Sequence, residues 1–166
     1  MISQIQEQYK IWQPIIKKEL GESAKLYHYV WGEHFQEDGW YNEELKSSDK
    51  FLFQKASIIQ KQHIGSFVFY NDYSLSGDWS IATEYYFDTS HKLYFVYWRM
   101  NTFQATEPLT VEKRLYFDAS GTLIQSQKSK YKINTIEEST AEFTDREVEY
   151  NLQLEKMRFY KKWSEK

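Results

Sequence analysis

The chain opens on a helical stripe. Ile2, Ile5, Tyr9, Trp12 and Ile16 recur at alternating spacings of three and four, which places them on one face of an α-helix. Ser3 followed by Gln6 fits a capping box, and Gly21 stands where a helix stops. The pattern predicts a helix over about 3–20. Pro14 lies inside it, without the N–H that would bond residue 10, so a kink or break near Gln13 is expected. From Leu26 the period changes to two. Leu26, His28 and Val30 alternate with Tyr27, Tyr29 and Trp31, a first strand. Residues 33–49 are polar and read as a long loop. Strand patterns resume from Phe51 to about His63 and, after Gly65, over Phe67–Tyr70.

Residues 79–96 and 109–126 resemble each other at an offset of 30. Tyr86-Phe87-Asp88-Thr89-Ser90-His91-Lys92-Leu93 matches Tyr116-Phe117-Asp118-Ala119-Ser120-Gly121-Thr122-Leu123 in Tyr, Phe, Asp, Ser and Leu. Alternating residues enter a turn at Asp, whose carboxylate can accept the N–H groups just ahead. A residue at positive φ then reverses the chain, and Gly121 suits that place. The pattern predicts two hairpins, 79–100 and 110–128. His91 stands where Gly121 stands, so His91 is expected in the left-handed region, which His tolerates better than most residues.

The C-terminal pattern supports two readings. Val148, Tyr150, Leu152 and Leu154 alternate with polar residues, as in a strand. Val148, Leu152, Phe159 and Trp163 also share one helical stripe. Thr144 and Glu147 make a capping box, acids gather at the start, and Lys161 and Lys162 lie at the end, as the helix dipole prefers. The latter signals predict a helix over about 145–163. The expected fold is therefore α+β in a single domain, 1–166. An antiparallel β-meander of about six to eight strands spans about 25–134 and is strongly curved. A kinked N-terminal helix and a C-terminal helix flank it.

Composition changes this picture in one respect. Phe, Tyr and Trp make up 19% of the 166 residues. Rings fall on both faces of the predicted hairpins: Tyr85 and Phe87 against Tyr86, and Phe95 and Tyr97 against Tyr94 and Trp98. A single helix-covered core explains one face. The other would be an unusually aromatic surface, which points to a groove, a dimer contact or a barrel interior. Trp40, in the polar loop, reads as an exposed anchor, since Trp dominates binding hot spots.

Charge adds less. The net charge is −3, and no basic footprint points to nucleic acid. Residues 33–49 and 137–149 are acidic, and the tail from 156 is basic. Acidic loops around Glu43 and Glu44 would draw a basic partner if they shared a face; ordinary loop solvation, with helix-dipole matching near the C-terminus, is the favoured account of such charge runs.

Chemistry leaves few signatures. Cysteine is absent, which removes disulfides, thiolate metal sites and cysteine nucleophiles. Glu33, His34, Glu37 and Asp38 are ligand types at a spacing that matches no metal motif, so no metal and no cofactor are expected. Ser66 follows His63 closely, but no nucleophile elbow surrounds it. The longest apolar run, Leu93–Trp98, is far short of the roughly 20 residues of a membrane span. Met1–Glu7 carries neither a basic nor an apolar signal region. The chain as written is expected in the cytoplasm, or in the periplasm or outside if Met1 follows a removed signal.

The Tyr-Phe-Asp-x-Ser-x-x-Leu units resemble the Y-[FY]-D-x-x-G-x-L hairpins of uncharacterised bacterial β-rich proteins, over about 50 residues. The resemblance implies bacterial origin and an antiparallel meander, and no activity. The leading functional expectation is a non-catalytic binding protein that uses an aromatic sheet face and acidic loops, such as a bacterial immunity or inhibitor protein. Its contact residues would be Trp40, Glu43, Glu44, Trp79, Tyr85, Phe95 and Trp98. The partner would be a protein, or a second copy through the aromatic face. The alternative is a carrier of an apolar or planar small molecule, with a cavity lined by Trp79, Tyr85, Phe95 or Trp98. An enzyme is the third reading, without a catalytic motif behind it.

Overall fold

The computed structural model describes residues 1–21, 28–32, 39–41 and 52–160, with backbone alone at 28–32, 39–41 and 52. Helix α1 runs Ile2–Gly21. Strands follow as β1 His28–Gly32, β2 Gly39–Tyr41, β3 Leu52–Lys61, β4 Gly65–Tyr73, β5 Trp79–Phe87, β6 Leu93–Thr102, β7 Leu109–Phe117 and β8 Leu123–Lys132. They form one open antiparallel sheet in the order β2-β1-β3-β4-β5-β6-β7-β8. The α+β meander is as expected. Within the segment read as a loop, Gly39–Tyr41 is a strand, and Trp40 pairs with Tyr29 across it.

The stripe on α1 does what its spacing requires. Ile5 and Trp12 are buried, and Ile2, Tyr9 and Ile16 pack beside them against Ile59, Phe67, Tyr86, Phe95 and Tyr116 of the sheet. Trp12, fully buried, lies 5.9 Å from the Phe67 ring and 6.5 Å from Tyr86. The helix does not break at Pro14. Lys10 and Pro14 are both exposed, so water can satisfy the carbonyl that Pro14 leaves without a donor.

The hairpins β5–β6 and β7–β8 turn through matching bonds. Asp88 Oδ1 accepts the N–H groups of Ser90 and Lys92 at 2.7 and 3.0 Å. Asp118 Oδ1 accepts those of Ser120 and Thr122 at 2.8 and 2.9 Å. His91 has φ 60° and Gly121 φ 86°. Each hairpin carries an irregularity at the same step, between Tyr86 and Phe87 and between Tyr116 and Phe117. The first makes Tyr94 the extra residue and turns it to the helix side, where it meets Tyr86; strict alternation would have placed it with Trp98.

The Asp118 turn yields a test. Bonds from Ser120 and the turn N–H groups hold its carboxyl below the ordinary range. A depressed folded value contributes stability above the unfolded value and loses it as pH falls through the folded one. Asp118→Ala is expected to lower Tm at neutral pH, and the gap to wild type should close as pH falls through the depressed folded value, below the ordinary aspartate range. A gap constant with pH would show that the charged acceptor is not what holds the turn.

Over 145–159 the C-terminal segment departs from the helix expected over 145–163, of which 161–163 lie outside the described residues. Residues 144–150 are not helical, and a 3₁₀ turn at Leu154–Lys156 is the only helix type over 145–159. The segment instead forms an extended strap across the second face of the sheet. Bridges join Glu138 to Tyr131, Phe143 to Ala105 and Gln153 to Lys92. Ala141, Phe143 and Val148 pack on Trp98, Met100 and Val111. Leu154, Met157 and Phe159 pack on Val68, Tyr85, Phe87 and Val96. Its backbone bonds go to distant partners, and those outweigh the local helix signals.

Candidate binding cleft

Both faces of the central strands are covered, one by α1 and one by the strap. The aromatic excess therefore feeds two cores. The strap does not close down everywhere, and a cleft of about 830 Å³ remains between it and the sheet.

Strand register builds the floor. Gln54, Asp72 and Ile81 stand side by side on β3, β4 and β5. One row along, Tyr70, Thr83 and Trp98 do the same on β4, β5 and β6. Tyr85 completes the floor. Residues 146–151 and 157–159 of the strap supply the walls.

The strap is fixed at several points. Asp145 receives Lys113 and Lys128, each at 2.7 Å. Partial burial pushes its carboxyl up, but the two ammonium groups outweigh that and hold it below its ordinary range. Lys113 Nζ also donates to the Arg146 carbonyl and lies 5.1 Å from the Trp98 ring. The Tyr85 hydroxyl donates to the Glu149 carbonyl at 2.8 Å. Phe159 stacks on Tyr70 at 6.1 Å.

Asp72 is the unusual member. Its carboxylate is half-buried, and burial raises its pKa against the bonds donated by the Gln54 side chain and the Tyr73 backbone. Burial also raises the hydroxyls of Tyr70 and Tyr85 well above the ordinary phenol range. Both phenols therefore stay neutral and can only donate or accept hydrogen bonds.

The expected contact residues separate. Tyr85 and Trp98, 5% and 3% exposed, come together on the floor. Trp79 shares their face by alternation along β5, and the Arg146 guanidinium lies 4.2 Å above its ring. Phe95 is on the opposite face, 5.6 Å from Tyr9 of α1; beyond the irregularity at Tyr94, the odd residues of β6 face the helix. Trp40 belongs to β2, two strands from β3, and Glu43 and Glu44 lie outside the described residues. So do Glu33, His34, Glu37 and Asp38. Ser66 is buried and accepts from Gln60 Nε2 at 3.2 Å, while His63 is exposed in the preceding turn.

Sequence reasoning missed Tyr70, Asp72, Arg146 and Phe159. Asp72 carried a signal: a carboxylate between aromatic residues, at a position where alternation points it to a covered face. Among the described residues, no helix is long and apolar enough to cross a membrane. No protein-family model, curated protein or solved structure matches this chain.

Proposed function

We propose that the protein is a non-catalytic binding protein whose ligand is a small planar molecule, held in the cleft between the sheet and the C-terminal strap. One observation carries this reading: a space of about 830 Å³ floored by Tyr70, Tyr85 and Trp98 persists inside an otherwise packed face. That volume is in the range of pockets that enclose drug-sized ligands, roughly 300–1,000 Å³. The lining mixes rings with a few fixed polar groups, the usual composition of a site that grips a planar body and orients its substituents. The strap covers the aromatic face, and this favours a small ligand over a protein docked across the sheet.

Ile81 provides the test. It sits on the floor beside Asp72 and is only partly buried. Ile81→Trp should fill the space without disturbing the hairpin, because the added ring projects into the cleft. Screening a fragment library by thermal shift should give planar hits that stabilise the wild type, with the shift abolished in Ile81→Trp. Hits that stabilise both proteins equally would place binding elsewhere.

A further inference from the structure

We propose that this cleft selects an organic cation, with the Asp72 carboxylate as its counter-charge. The proposal rests on the cleft being a ligand site, and it follows from where the charges sit. Five charged side chains line the space: Asp72, Arg146, Glu147, Glu149 and Arg158. Four of them come from the strap. Asp72 alone rises from the sheet, so the charge on the floor is negative.

The floor carboxylate has no ion-pair partner among the described residues; its bonds are donated by the neutral Gln54 amide and a backbone N–H. Arg146, from the strap, acts on it only weakly. That guanidinium lies over the Trp79 ring at 4.2 Å and reaches Gln104 Oε1 at 3.4 Å. A half-buried carboxylate with neutral partners stays charged at a cost in desolvation. A cation arriving in the cleft would offset that cost.

The rings around Asp72 suit the same ligand. Tyr70, Tyr85 and Trp98 present π-systems whose negative faces attract cations. Rings on this face already do so within the protein, as Trp98 faces Lys113 at 5.1 Å and Trp79 faces Arg146 at 4.2 Å. An anion would fare worse on the floor. Arg146 and Arg158 face it from the strap together with Glu147 and Glu149, but it would lie against Asp72, and the Tyr85 hydroxyl proton is already given to the Glu149 carbonyl. A hard metal ion fits no better, because it needs six or more oxygen ligands and the floor supplies one carboxylate among rings.

Three probes of similar shape separate the possibilities: benzyltrimethylammonium, benzyl alcohol and benzoate, titrated by calorimetry into wild type, Asp72→Asn and Ile81→Trp. The cation should bind most tightly and benzoate least. Asp72→Asn should weaken the cation by roughly tenfold or more and change benzyl alcohol by less than about twofold, since its amide keeps the shape and loses only the charge. Its Tm should equal or exceed that of wild type, since the amide sheds the desolvation cost of the carboxylate, which keeps the comparison free of misfolding. Benzoate binding more tightly than the cation would overturn the proposal, as would a cation affinity unchanged in Asp72→Asn. In either case binding that Ile81→Trp abolishes would leave the cleft reading standing. Silence from all three probes in the wild type would overturn the cleft reading and this proposal with it.

Discussion

Gly65→Ala is expected to destabilise the fold by about 3 kcal/mol or more, among the largest effects of any single methyl in this chain. Gly65 opens β4 at φ +124°, where an L side chain is strained whatever its surroundings. A Cβ there would sit 2.1 Å from the Phe87 carbonyl oxygen and 2.9 Å from the Asp88 carbonyl carbon. Both atoms are backbone. Phe87 pairs with Ser66 on one side and Leu93 on the other, and Asp88 closes the next turn through its bonds to residues 90–92. The carbonyl cannot retreat without opening a hairpin. Gly77 is the control. It also has positive φ, at +77°, but nothing lies within 4 Å of its would-be Cβ, so Gly77→Ala should cost only the backbone term, about 1 kcal/mol. Urea unfolding of both variants checks the difference. Equal midpoints would mean that the β3–β4 turn relaxes freely, and that its contact with the β5–β6 hairpin is not rigid.

The same contrast explains what the sequence made legible. Features with local causes could be read. The α1 stripe needs only the helical period, and the positive φ of His91 needs only its place in a turn matched by Gly121. Long-range features could not be read. The segment 144–153 carries a capping box and well-placed charges, yet its backbone answers to other elements. The Arg146 carbonyl goes to Lys113, the Glu149 carbonyl to Tyr85, the Leu152 carbonyl to the Leu93 N–H, and the Leu154 N–H to the His91 carbonyl. The alternation of Val148, Tyr150, Leu152 and Leu154 was the better guide to this strap. The cleft was half visible. Tyr85 and Trp98 were marked as aromatic residues on a second face, but their union with Tyr70 and Asp72 depends on register across three strands. Phe95 was misplaced because adjacent rings on β6 look alike until one face is known to meet the helix.

Because the strap roofs the cleft, its anchor decides whether the site holds. Asp145 looks like that anchor, with two lysines at 2.7 Å. Its side chain is 48% exposed, however, and ion pairs of this kind contribute about 0–1 kcal/mol. Leu154 is fully buried among the residues of the second core, and replacing such a leucine with alanine typically costs about 2–5 kcal/mol. Leu154→Ala is therefore expected to loosen the strap far more than Asp145→Asn. The loss should also be local. The helix-side cluster of Trp12, Phe67 and Tyr86 lies across the sheet and keeps its own contacts. Hydrogen exchange gives the readout, since the Leu93 and Leu154 amides are bonded between strap and sheet at 3.0 Å. In Leu154→Ala both should exchange much faster, while the paired amides of β4 and β5 change little. Planar hits found with the wild type should lose affinity in the same variant. If exchange instead rises evenly across both faces, strap and sheet open as one unit, and entry to the cleft requires unfolding the whole domain rather than lifting its roof.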